Sequence, residues 1–454
     1  IDDKSDLTTT RERLQEIVAS AQQLVPSVSA TDVITSFSGL RPTLDDGDFF
    51  IEESSLRPRF IQVAGIQSPG LTAAPAVGEY VKDLLKEAGC TLTERPHFVA
   101  TLPPVRRTRV MDDEELASRW EASHDAGSVV CRCETVTREE IRQAIAAGHT
   151  TLDGIKFYSR GSAGRCQGAF CTPRILEIIA EETGRPVTDL TKRGEGSELV
   201  ARTLPGTPAH RPNADHPVRG DQPAPEEVDV LVIGGGAAGM ATASEIAQRG
   251  FTPLVVDREK VLGGVLRQCV HNGFGIHEFG EELTGPEYAE RYVDEVRDAG
   301  IRALTGTTVL GIERESVSSD AAARSGAAAR SGAAAGSGDT RFVTRMLSRE
   351  GGVEHVRSRT VALAMGSRER NRGSIQIPGS RPAGVMTAGA AQRLINIEGF
   401  VPGTRAVVIG SGDIGLIMAR RFKLIGADVE AVIEIMPVPS GINRNIVQCL
   451  DDFS

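Results

Sequence analysis

Apolar positions along this chain alternate between helical and strand spacing, and the switches between them predict its modules. Phe60-Ile-Gln-Val-Ala-Gly65 predicts a buried strand, and Ile66-Gln-Ser-Pro-Gly70 a turn into a helix. Val77, Tyr80, Val81, Leu84 and Leu85 then recur at helical spacing, with a stop at Gly89. Further on, Thr137 and Glu140 make a capping box ahead of Ile141, Ala144 and Ile145, and Gly148 ends that helix. Thr172-Pro173 reads as an N-cap and N1 proline opening a helix with Ile175, Leu176, Ile178 and Ile179, closed by Gly184. The remainder reads strand, glycine turn, helix, strand, twice over. Asp229–Ile233, a helix over Ala241–Arg249 and Pro253–Val256 form the first such unit; Ala406–Ile409, a helix through Leu424 and Val429–Ile433 form the second.

Two stretches lack either period. Thr191 to Glu227 is rich in Pro, Gly, Asp and Arg and predicts a solvated linker. Ser316 to Asp339 repeats Ala-Ala-Ala-Arg-Ser-Gly without large apolar residues and predicts a disordered surface insertion. The chain starts at Ile1 and stops soon after the second glycine turn, so a piece of a longer protein, open at both ends, is expected.

Composition narrows the function. A chain of 454 residues holds two to four ordinary domains, and its formal charge of −10, without basic blocks, disfavours nucleic-acid binding. No apolar run reaches the length of about eighteen residues that would span a bilayer, so only a peripheral membrane contact is compatible. Seven cysteines without a signal peptide predict a reducing compartment, the cytoplasm by default.

Cys131, Cys133, Cys166 and Cys171 form a C-x-C and a C-x₄-C pair, each followed by a predicted helix whose N–H groups would offset the charge of bound thiolates. This spacing suits a two-iron, two-sulfur cluster better than zinc, whose cysteines are usually spaced C-x₂-C or slightly wider; structural cysteines without a metal are the third reading. Gly164 and Gly168 would let backbone approach the cluster. Cys90 and Cys449 have no partner in this pattern and read as packing residues.

Gly234-x-Gly236-x-x-Gly239 joins a strand to a helix, and Asp257 closes the second strand, as a dinucleotide pyrophosphate and ribose require. Gly410, Gly412, Gly415 and Glu434 repeat the arrangement, so two nucleotides are expected. Glu434 would repel a 2′-phosphate, which favours NAD over NADP. The turn from Gly65 through Ser68 to Gly70 could offer helix N–H groups to a phosphate or to a flavin edge, or be an ordinary strand-to-helix turn.

Ser36-Phe-Ser-Gly-Leu-Arg-Pro42 followed by Gly65-Ile-Gln-Ser-Pro-Gly-Leu-Thr-Ala-Ala-Pro75 resembles the end of the D-amino-acid-oxidase-type flavoprotein fold, as in the catalytic subunit of anaerobic glycerol-3-phosphate dehydrogenase. The resemblance implies that Arg41 faces a substrate anion and that Gly65, Ser68 and Gly70 lie against the flavin; that family's own N-terminal glycine turn is absent. Residues 128–190 resemble the bacterioferritin-associated-ferredoxin-like domain, which implies a 2Fe-2S cluster on the four cysteines. Thr360-Val-Ala-Leu-Ala-Met-Gly366-Ser resembles the strand that returns the chain from flavin to pyridine-nucleotide domain in disulfide-reductase-like flavoproteins, with Met365 in place of the usual Thr. By that similarity the first glycine turn, with Gly264 and Gly366, binds FAD and the second binds NAD. The run Gln268-Cys-Val-His-Asn-Gly-Phe-Gly275 resembles a subgroup fused to glycerol-3-phosphate-dehydrogenase-like subunits, which would set Cys269, His271 and His277 near the isoalloxazine. A packed thiol and ordinary loop histidines are the competing reading, and a single cysteine argues against dithiol chemistry there.

The expected architecture is therefore α/β and multidomain: the C-terminal part of a D-amino-acid-oxidase-type domain (1–95), a small helical 2Fe-2S domain (128–190), a linker (191–227), and a truncated Rossmann-like FAD/NAD-binding domain (228–454) with its NAD part at 402–454. The expected activity is an FAD-dependent dehydrogenase similar to anaerobic glycerol-3-phosphate dehydrogenase. It would pass electrons from a small anionic substrate through FAD and the cluster to a second flavin and NAD, with an electron-acceptor subunit as partner. The arginine suits phosphate and carboxylate equally, so opines, amino acids and 2-hydroxy acids also fit. An NADH-dependent reductase feeding an external partner and a non-enzymatic electron carrier are the alternatives.

Overall fold

The structure is a computed structural model that describes residues 3, 5–101, 105–207, 223–316 and 340–451. It divides into two compact units, one of residues up to 29, 36–105 and 377–381, the other of residues 30–35, 106–376 and 382 onward.

In the first unit, the helix Arg11–Leu24 is capped by the Thr10 side chain, which accepts from the Arg13 amide. An antiparallel pair, Phe50–Glu53 with Ile61–Ala64, precedes the helix Gly70–Glu87. Val77, Val81, Leu84 and Leu85 are half-buried on that helix, but among the described residues of this unit only Gly65 and Gly70 are buried. The predicted strand and helix are present, therefore, without a core around them.

The second unit is built on a six-stranded sheet in the order Arg302–Leu304, Pro253–Val256, Glu227–Ile233, Gly352–Leu363, Thr340–Ser348, Thr307–Ser316. The first four strands are parallel and the last two antiparallel. Alternate residues of the parallel strands feed two cores. Val232 and Val255 pack with Met240, Val293 and Val296 from the helices Ala237–Gln248 and Gly285–Asp298. Leu231, Ile233, Leu254 and Val256 pack with Met346 and Val356 on the opposite face. The first helix starts four residues before the predicted Ala241, because Gly236 already stands at its N-cap.

The second glycine turn joins Arg405–Ile409 to the helix Asp413–Leu424, and Asp428–Ile433 pairs parallel with the first of these strands. The insertion expected over 316–339 lies, apart from Ser316, outside the described residues.

The four cysteines sit in a module made of the antiparallel pair Val129–Cys131 and Val136–Thr137 and the helices Arg138–Ala146, Leu152–Ser159 and Thr172–Thr183. The Thr137–Glu140 capping box forms as predicted. The third helix begins one position differently, with Cys171 rather than Thr172 at the N-cap. Its core of Ile141, Ile155, Ile175, Leu176 and Ile179 continues into Leu199, Val200, Leu394 and Phe400. Arg202–Thr203 also pairs with Phe400–Val401. Residues 191–207 are thus not the solvated linker that their composition predicts: two apolar side chains and a two-residue strand suffice to bind them into the core, while 208–222 lie outside the described residues.

Candidate redox site

The hairpin carrying Cys131 and the helix following Cys171 bring the four thiols together in two pairs that cross the sequence motifs. Cys133 Sγ and Cys166 Sγ are 3.6 Å apart. Cys131 is hydrogen-bonded by Cys171, which draws its thiol down to about 7 and pushes the Cys171 thiol up. In the other pair the Cys166 hydrogen bond draws Cys133 down to about 5 and raises Cys166. Amides of Glu134 and Ser162 donate to Cys131, and those of Gly168 and Phe170 to Cys166, so backbone dipoles are aimed at the sulfurs. Gly164 is required here: a Cβ on it would stand 2.3 Å from Cys133 Cβ. Among the described residues no three His, Cys, Asp or Glu side chains converge on a single ion. Two separate thiol pairs match the two thiolates per iron that a binuclear cluster takes.

Three residues from the six-stranded sheet's loops touch this cradle. Arg258, next after Asp257, places its guanidinium carbon 5.1 Å from the Phe170 ring centroid. Arg368, just past the end of Gly352–Leu363, donates to Cys133 Sγ at 3.4 Å, and Asn371 donates to the Arg165 carbonyl at 2.8 Å. Both arginines leave the carboxyl ends of parallel strands, the edge where a dinucleotide binds in such sheets.

At that edge the three glycines of the first turn divide their roles. A Cβ on Gly234 would meet the Ala364 carbonyl oxygen at 2.3 Å, and one on Gly239 the Gly234 carbonyl oxygen at 1.8 Å, whereas one on Gly236 meets nothing within 4 Å. The first and third are closed by packing and the second faces open space, the arrangement that lets a pyrophosphate approach the helix N-terminus. Gly264 flanks that space, since its Cβ would lie 3.1 Å from Gly236 Cα. Gly366 adopts a φ of 68° just beyond the return strand. In the second turn a Cβ on Gly415 would meet the Gly410 carbonyl oxygen at 2.1 Å, and Gly412 has only Ser440 Oγ at 4.0 Å, so the same division holds.

The two carboxylates differ. Asp257 accepts from the Gly235 amide at 2.5 Å and the Glu259 amide at 2.7 Å, yet burial outweighs both bonds and raises it to about 6. An acid raised from 3.8 costs stability when ionised above about pH 6, and that cost disappears as pH falls from there to below 3.8. Asp257→Asn is therefore expected to make the flavin-free protein more stable at pH 7.5, by up to about 3 kcal/mol, with the gain gone near pH 4. Urea denaturation across that range measures it; an Asn variant less stable at neutral pH would contradict the assignment. Glu434 is held down to about 2, first by the Ser411 hydroxyl, then by the amides of Met436 and Ser411 and by Ser440 Oγ. A ribose reaching it would have to displace one of these donors.

Cys269 and His271 do not share an environment. Cys269 is buried, donates to the Val265 carbonyl at 3.4 Å, and burial pushes its thiol up. His271 is half-buried, with Nδ1 3.0 Å from the Asn272 carbonyl and its ring against Phe274. Neither geometry activates a nucleophile or a base. In the first unit, Arg41 is exposed on the loop preceding Leu44, and Leu44 Cγ would lie 2.8 Å from a Cβ on Gly65. The Gly70, Thr72 and Ala73 amides already donate to Gln67 and Pro69, so that helix start offers fewer N–H groups than its sequence suggests. Ser68 is exposed. Sequence reasoning missed Arg258, Phe170, Arg368 and Asn371; the position of Arg258 directly after the ribose acid was the one local signal.

A glycine-turn nucleotide sheet with a four-thiol cradle at its carboxyl edge sets a dinucleotide-type turn beside a thiol set suited to a binuclear cluster. Three family models match successive stretches: FAD dependent oxidoreductase over residues 1–84, BFD-like [2Fe-2S] binding domain over 129–181, and pyridine nucleotide-disulphide oxidoreductase over 228–452. The chain carries domains of these three families, and their cofactors are FAD, NAD(P) and a [2Fe-2S] cluster. It is similar to the glycerol 3-phosphate dehydrogenase of Caloramator mitchellensis, 38% identical over 44% of this chain and 42% of that protein. It is also similar to anaerobic glycerol-3-phosphate dehydrogenase subunit A1 of Haloferax volcanii, 28% identical over 40% of this chain and 36% of that protein. The chain thus spans less than half the length of either relative. Among solved structures, L-proline dehydrogenase from P. horikoshii aligns over 46% of this chain and 35% of its own, with 21% identity and a TM-score of 0.32. Among the described residues no helix is long and apolar enough to cross a membrane.

Proposed function

We propose that the chain belongs to an FAD-dependent dehydrogenase that oxidises a small anionic substrate, glycerol 3-phosphate first among them, and passes the electrons through the cluster to a second flavin and NAD. The observation that carries this reading is the contact of Arg258 and Arg368 with the cluster cradle, because it sets the thiols beside the nucleotide edge of the sheet. Flavin exchanges hydride pairs and single electrons, which is the chemistry a joined cluster needs. Within that scheme Cys131, Cys133, Cys166 and Cys171 hold the irons, and Gly234, Gly236, Gly239 and Asp257 hold FAD. Gly410, Gly412, Gly415 and Glu434 hold NAD in preference to NADP. The naming of the Haloferax relative as a subunit supports an electron-acceptor subunit as partner.

Arg41 is the anion anchor in this reading. In the complete enzyme Arg41→Ala is expected to lower kcat/KM for the anionic substrate by about 10- to 1,000-fold, the worth of a charge-assisted bond, with cluster content unchanged. Glycerol 3-phosphate, 2-hydroxy acids and secondary amino acids are assayed with an artificial acceptor and then NAD. Unchanged kinetics for every active compound would remove Arg41 from the role. If no compound reduces flavin while NADH does, the dehydrogenase gives way to an NADH-dependent reductase.

A further inference from the structure

The two thiol pairs are not equivalent. Cys131, Cys166 and Cys171 are buried, whereas Cys133 is only half-buried and, among the described residues, is the one of these four thiols with a cationic donor on it, Arg368 at 3.4 Å. Glu134, the acidic neighbour of Cys133, is neutralised by Arg160 at 2.7 Å and Arg109 at 3.4 Å. The charge of Arg368 therefore acts on the sulfur against a carboxylate whose own charge is shared with two arginines. Across the cradle, Cys171 has instead a neutral contact, Ser162 Oγ at 3.3 Å. Cluster potentials follow net charge, hydrogen bonds to sulfur and exposure, and all three differ between the pairs in the same direction.

We infer that Arg368 is a positioning residue for electron flow: reaching from the FAD-binding sheet, it raises the potential of the cluster and directs the incoming electron to the iron held by Cys133 and Cys166. This rests on the proposed binuclear cluster. The step is a one-electron reduction of two ferric irons to one ferric and one ferrous, with no bond made or broken. An added positive charge close to Cys133 stabilises the reduced, more negative form. Removing that charge must lower the potential.

The test uses anaerobically purified protein titrated with dithionite and mediator dyes, with iron and sulfide analysis and electron paramagnetic resonance of the reduced state. Arg368→Gln is expected to keep wild-type iron and sulfide while shifting the reduction equilibrium about tenfold toward the oxidised form, about 59 mV more negative for one electron. Arg368→Lys, which keeps the charge, should recover most of the shift. Ser162→Ala should move the equilibrium by no more than about twofold, because a neutral donor is weaker than a charged one. An unchanged potential in Arg368→Gln with the cluster intact overturns the inference and leaves the cluster reading standing. A Gln variant that loses the cluster makes Arg368 a structural clamp and also overturns it. A larger shift from Ser162→Ala than from Arg368→Gln reverses the choice of iron. Zinc in place of iron and sulfide in the unaltered protein would sink the cluster reading itself.

Discussion

Cys166→Ser is expected to take the anaerobically purified protein from about two irons and two sulfides per chain to nearly none, with loss of the broad visible absorption that such clusters give. Cys166 is buried, lies 3.6 Å from Cys133 and accepts from the amides of Gly168 and Phe170, so the harder serine oxygen would replace a sulfur set in a finished cradle. The six-stranded sheet has cores of its own, and flavin should remain in the Cys166→Ser protein. Retention of full iron and sulfide would refute Cys166 as a ligand. Loss of flavin in parallel would show that the variant had failed to fold.

The second large effect separates folding from binding within one turn. Gly239→Ala drives a methyl to 1.8 Å from the Gly234 carbonyl oxygen, backbone against backbone, and should destabilise the sheet domain by about 3 kcal/mol or more and abolish FAD retention. Gly236→Ala places its methyl in open space, so the protein should denature in urea as the unaltered chain does and yet release FAD. Measuring both variants by urea denaturation and by flavin content after gel filtration decides the matter. A Gly236→Ala protein that keeps its flavin would mean that the pyrophosphate lies elsewhere.

The glycine turns were readable in the sequence because their chemistry is local: strand, turn and helix are contiguous, and the acid follows within the same βαβ unit. The Thr137–Glu140 box and the glycine stops at Gly148 and Gly184 were readable for the same reason. The thiol pairing was not. A C-x-C motif invites pairing within itself, whereas the hairpin turns Cys131 and Cys133 toward different partners in the second motif. Arg368 and Cys133 lie 235 positions apart, and nothing in either neighbourhood announces the other. Leu199 and Val200 were hidden in a stretch whose composition is that of a linker, because two apolar residues carry no period; only the strand Phe400–Val401 reveals why they are buried. Arg41 and Ser68 rested on resemblance, and the exposed loop and turn in which they stand add no contact of their own to it.

The apolar core that runs from Ile175 and Leu176 into Leu394 and Phe400 has a kinetic consequence. A relay whose carrier swings on a tether must search for its docking site at each turnover, and domain docking takes milliseconds or longer. Here the thiol cradle shares that core with the helix Ala388–Asn396 and the strand Phe400–Val401 and is held to the loops of the six-stranded sheet by Arg258, Arg368 and Asn371, so in the proposed relay no search separates the two centres. In the proposed relay the interval an electron must cross is set by folding, and the rate of cluster reduction is expected not to vary with solvent viscosity.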